Sequence, residues 1–226
     1  MRTTAAAVLV IATLLGAGCG PGDEPGAEGD GAEPAAVLPD SVRGDLVRMG
    51  VEDQAIRAEL TAGRLQDTAF VRRMLAGDSA RSLRLREIVH RWGWPDTVKA
   101  GPEAAAGAFL VLQHSPLHGF QEAVLPMLEA SVRRDAMAAA DVALLVDRVL
   151  VRQGRPQRYG TQFDLRDGRL VAEPVEDLER LAGRRRAMGL PPMDEYIRLL
   201  EESYDAPVVG PGERGPAPDS LRPAGR

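Results

Sequence analysis

Neither end of this chain can build a core, and that confines the fold to what lies between. "GPGDEPGAEGDGAEPAAVLPD" (Gly20 to Asp40) and "APVVGPGERGPAPDSLRPAGR" (Ala206 to Arg226) are rich in Gly and Pro and hold no aromatic residue. Segments of this composition bury too little apolar surface to offset the entropy lost on ordering. All nine aromatic residues lie between Phe70 and Tyr204. One folded domain over residues 41–205 is therefore expected, between a disordered linker at 19–40 and a disordered tail at 206–226.

Inside those limits the apolar residues recur mostly at helical spacing. Ser41 to Met49 and Val51 to Leu75 carry mixed three- and four-residue steps. Asp78-Ser79 reads as a cap for a helix holding Leu83, Ile88 and Trp92, with Gly93 and Pro95 ending it. Glu103 to His114 is a compact apolar run closed by Pro116, and Phe120, Val124, Leu128 and Val132 follow at steps of four. Val142 to Gln153, Glu176 to Met188 and Met193 to Tyr204 complete a mainly α fold of about six to eight helices.

One stretch breaks that period. After Gly154 and Pro156, the residues Tyr159, Thr161, Phe163 and Leu165 alternate with Gly160, Gln162, Asp164 and Arg166. A period of two is the strand pattern, and Asp167-Gly168 suits a type I′ turn. The expectation is one small β-hairpin near 158–175, with Arg166 opposite Arg169 and a first strand starting near Gln157. That strand should pack beside the preceding helix, since consecutive elements are usually neighbours.

The N-terminus, "MRTTAAAVLVIATLLGAGC", has the parts of a secretory signal: Arg2, an apolar run from Ala5 to Leu15, and small residues before Cys19. The run is too short to span a ~30 Å hydrocarbon layer comfortably. Cys19, the chain's one cysteine, stands where a bacterial lipobox has its lipidated residue. The segment resembles such a lipobox, although Gly16 stands three places before the Cys and Leu15 one place earlier. Residues 1–18 are read as a signal peptide and Cys19 as the lipidation site. The chain is then tied to the cell membrane or outer membrane, outside the cytoplasm.

Charge excludes one class of partner. The net charge is −5, and Lys99 is the sole lysine among 28 basic residues. Acidic and basic residues are closely balanced from 41 to 205, so no basic stripe is available to neutralise phosphates, and nucleic-acid binding is disfavoured.

Few residues invite chemistry. His114 and His118 are four apart, but Pro116 between them should break the shared helical face that zinc ligation uses, so no metal site is expected. No cofactor motif is present either. Asp147-Arg148 sits among apolar residues in "VALLVDRVLV", where a buried charge needs a partner. An ion pair or helix-end contact that fixes packing is the leading reading of this pair. Gln113-His114 ends an apolar helix, where a His can cap the last carbonyls or act as general acid or base beside a carboxylate such as Asp147. Tyr159 more naturally anchors the hairpin than a ligand.

The succession "GWP" (Gly93 to Pro95), "LVLQH" (Leu110 to His114), "DRVLV" (Asp147 to Val151), "GRPQRYGTQF" (Gly154 to Phe163), "VED" (Val175 to Asp177) and "RRRAMGLPPMDEY" (Arg184 to Tyr196) resembles an uncharacterised bacterial domain family. The likeness implies a recurring framework and carries no activity. It makes Gln113, His114, Asp147, Arg148, Gln157, Tyr159 and Gln162 candidates for a shared site. The leading functional expectation is a cell-envelope lipoprotein whose helical domain binds a protein or small ligand without catalysis. The alternative is a small extracytoplasmic enzyme, a hydrolase for instance, using His114 with Asp147 or Arg148.

Overall fold

A computed structural model describes residues 8–9, 37–60 and 64–213. Cys19, the expected signal peptide apart from Val8–Leu9, most of the expected linker and residues 214–226 lie outside the described residues. The fold is mainly helical, with eight α-helices and a small sheet among the described residues. The single expected domain resolves into two compact units that divide between Met137 and Ala138.

The N-terminal unit holds α1 (Asp40–Ala58), α2 (Thr68–Trp92), the short α3 (Thr97–Ala100), α4 (Pro102–Gln113) and α5 (His118–Val132). The fold starts before residue 41: Leu38 is buried, and its N–H donates to the Lys99 carbonyl at 2.9 Å. Gly50 on α1 and Gly107 on α4 allow these helices to touch. A Cβ on Gly107 would lie 2.3 Å from the Leu46 carbonyl oxygen, and one on Gly50 2.7 Å from Gly107 Cα. The cap of α2 is Asp67, whose side chain accepts from the Ala69 and Phe70 amides, and the helix then runs 25 residues. The expected cap at Asp78 is thus wrong; Asp78 is a buried mid-helix residue. Gly93 does end α2, in the left-handed region at φ 72°. Asp96 caps α3 by accepting from Lys99 N and also takes Ser131 Oγ at 2.8 Å, tying this turn to the end of α5.

The C-terminal unit holds α6 (Ala139–Arg152), α7 (Leu181–Ala187) and α8 (Met193–Tyr204). Its sheet runs β1 (Val8–Leu9), β2 (Phe163–Arg166), β3 (Arg169–Ala172) and β4 (Val208–Val209) in spatial order. The hairpin has the expected register, with Arg166 opposite Arg169 and Phe163 opposite Ala172, and Asp167 and Gly168 both take positive φ. Its face packs Phe163 and Leu170 on Tyr196 and Leu200 of α8. Leu165, by contrast, is 42% exposed. The tail limit of 206 is also too early. Val208–Val209 pair in parallel with Leu170–Val171, and Val209 is buried, because two β-branched residues among the Gly and Pro complete the sheet. The helix expected over 176–188 is shortened to a 3₁₀ turn, Leu178–Arg180, followed by α7.

Candidate functional site

Asp147 is the centre of the C-terminal unit. It lies on α6, fully buried, and collects the residues that follow that helix. Its carboxylate accepts from the amides of Arg158 at 2.7 Å, Tyr159 at 3.0 Å and Thr161 at 3.0 Å, and from Thr161 Oγ1 at 2.9 Å. Residues 157–162 therefore do not extend the strand as expected. The amides of Arg158, Tyr159 and Thr161 turn inward onto the carboxylate, with Gly160 at φ 68°, and pairing with β3 begins only at Phe163. Burial pushes the Asp147 carboxyl above its ordinary range, while the four donors pull it back.

Gln157 closes the neck of this loop. Its Oε1 accepts from Gln162 N at 2.8 Å, and its Nε2 donates to the Gln162 and Glu173 carbonyls at 3.0 and 2.8 Å. Gln162 donates through Nε2 to Thr161 Oγ1. Arg185 of α7 holds the outer side, donating to the carbonyls of Tyr159 and Pro191 and lying 4.8 Å over the Tyr196 ring. Arg184 does the same for the carbonyls of Arg158, Glu176 and Asp177. Tyr159 packs against the Ala140, Ala143 and Leu190 cluster. Asp147, Gln157, Tyr159 and Gln162 are thus brought together, and their hydrogen bonds hold a backbone shape. Arg148, the next residue on α6, is buried at 1% exposure.

Gln113 and His114 belong to the N-terminal unit. Gln113 is fully buried at the end of α4, and His114 occupies the C-cap position, its backbone N–H on the Leu110 carbonyl. The α4 end is held from α5, where Gln121 Nε2 donates to the Leu112 carbonyl at 2.8 Å. The carboxylate against His114 is Asp53 of α1, with Nδ1 to Oδ2 at 2.8 Å. An ionised carboxylate can only accept, so Nδ1 carries the hydrogen in this contact. Sequence reasoning had offered Asp147 for this role; that carboxylate is taken up by the 158–161 backbone.

Asp53 is part of a buried charge cluster on α1 and α2 that the sequence reading missed. Arg57 forks onto Asp78 at 3.2 and 3.0 Å and lies 3.1 Å from Asp53 Oδ1. Arg81 pairs with Asp78 at 2.7 Å and reaches within 3.8 Å of Asp53. Two carboxylates and two guanidiniums meet here, with the His114 imidazole against Asp53. A signal was available: Asp53 continues the buried stripe of Leu46, Met49 and Gly50, so a carboxylate occupies a core position of α1.

The same unit has a groove of about 560 Å³ between α2 and α5. Val89, Leu117, Phe120, Ala123, Val124 and Met127 supply its apolar wall, and Arg86, His90 and His118 its polar groups. No group of three or more His, Cys, Asp or Glu suited to hold a metal is found among the described residues.

By its architecture the chain is a helical protein with a small sheet, built around two buried carboxylate centres. It belongs to a family of unknown function, DUF6624, which matches residues 39–209 and so spans both units. No curated protein and no solved structure matches the chain.

Proposed function

We propose that the protein is a cell-envelope lipoprotein, anchored through Cys19, whose helical domain binds a small ligand in the groove between α2 and α5 without converting it. The groove carries this reading. It has ligand-sized volume, an apolar wall and a few polar groups, and it lies apart in sequence from the loop that Asp147 holds. The test is genetic and structural together. Ala123→Trp, at an exposed position of the groove, should abolish complementation of a deletion strain while the melting temperature stays within a few degrees. Full complementation by a folded Ala123→Trp protein contradicts the binding reading.

A second reading rests on the 2.8 Å contact between Asp53 and His114. A buried carboxylate orienting an imidazole through Nδ1 is how a general base is held. In that enzyme reading His114→Gln abolishes complementation without loss of folding, whereas a binding protein that leaves its ligand unchanged tolerates it.

A further inference from the structure

We infer that the groove's ligand is a free medium-chain carboxylate, its acyl chain on the apolar wall and its head on Arg86 and His90 of α2. This rests on the binding reading above and names the chemical class. Among the residues that line the groove there are Arg86, His90 and His118 and no acidic side chain, in a chain whose net charge is −5. Arg86 and His90 are four apart on α2, so they stand one turn apart on the same face, with Val89 beside them on the wall. The groove also includes the first turn of α5.

The rest of the lining disfavours a wholly polar anion. Phe120, Val124 and Met127 are spaced four and three apart along α5 and present an apolar strip, which a wholly polar anion would leave unfilled. An arginine with a linear apolar wall matches a molecule having one charged end and one aliphatic body. Guanidinium binds a planar carboxylate through paired donors, and methylenes along the wall add affinity in proportion to buried area. The flexible thioether of Met127 adapts to chains of differing length.

The experiment is isothermal titration of the mature chain, residues 19–226 with Cys19→Ala so that no lipid of its own competes. The probes are dodecanoate, dodecanol and dodecyltrimethylammonium at submicellar concentrations. Dodecanoate should bind saturably and about tenfold or more tighter than dodecanol, the discrimination that one charge-assisted contact supplies. Arg86→Gln with His90→Gln should erase that preference and leave dodecanol binding unchanged. Ala123→Trp, or Met127→Trp if the first does not fold, should remove binding of both. Equal affinity for dodecanoate and the ammonium probe, or undiminished binding to the folded groove-filling variant, overturns the assignment. So does the absence of dodecanoate binding. In that event loss of complementation by Ala123→Trp leaves the binding reading standing with another ligand class, and retained complementation removes both.

Discussion

Asp53 and Asp147 are both fully buried carboxylates, one in each unit, and they are satisfied in opposite ways. Asp147 is met by backbone amides and one hydroxyl from a single loop, groups with no net charge. Asp53 is met by Arg57 and His114, groups that carry or acquire charge and come from different helices. Dipoles fixed in a backbone can hold a charge and do little else. A carboxylate beside an imidazole can also move a proton. Asp147 thus meets neutral donors of one loop, whereas Asp53 meets ionisable side chains from α1 and from the end of α4.

Breaking the C-terminal centre should have the largest effect. Asp147→Ala orphans three amides and a hydroxyl at once, and each buried donor left unsatisfied costs about 1–3 kcal/mol. Urea denaturation followed by circular dichroism would measure it. An unchanged midpoint together with failed complementation would make Asp147 functional.

In the N-terminal unit, Gly107→Ala should cost about 3 kcal/mol, because its Cβ meets the backbone of α1 rather than a yielding side chain. Since α1 also carries Asp53, the variant should disturb the His114 imidazole resonances as well. Wild-type stability would mean that α1 and α4 can separate freely.

The limits of the C-terminal unit give a smaller effect. A chain ending at residue 206 lacks β4, and loss of buried Val209 with its partner Val208 should cost about 2 kcal/mol relative to one ending at 213. Equal melting temperatures for the two would show that β4 contributes no stability.

The smallest effect sharpens the contrast along α6. Asp141, in its first turn, is pushed by burial from 3.8 to about 6. Between those values the folded chain keeps a proton that the unfolded chain has lost, so stability falls as pH rises through that window. Asp141→Asn should stabilise by about 1 kcal/mol at neutral pH and flatten the dependence. A flat wild-type profile would show that Asp141 ionises in the fold as it does in the open chain.

What could be read from the sequence follows the same division. The hairpin register was legible because Asp167-Gly168 dictates it locally, and the packing role of Asp147 because eight apolar neighbours demand partners for its charge. The 157–162 loop was misread as strand, since its alternation is genuine and only the capture of its amides by Asp147 overrides it. The Asp53 cluster was missed for another reason, even though Asp53 itself lies on the apolar stripe of α1. Asp78 beside Ser79 imitates a helix cap, and nothing local joins Asp53 to Asp78 or to His114. Val208–Val209 was hidden by the Gly and Pro around it.

The two centres also differ in how far apart their members lie along the chain. Asp147 meets residues 11 to 14 positions onward, whereas Asp53 meets His114 after 61. Closing the longer loop costs about 1–1.5 kcal/mol more in chain entropy, by the logarithmic dependence on length. The clamp around Asp147 can thus close early, within one short stretch, while the Asp53–His114 contact must wait for the helices between them. Loss of Asp147 should accordingly slow refolding, and loss of the Asp53–His114 contact should instead hasten unfolding.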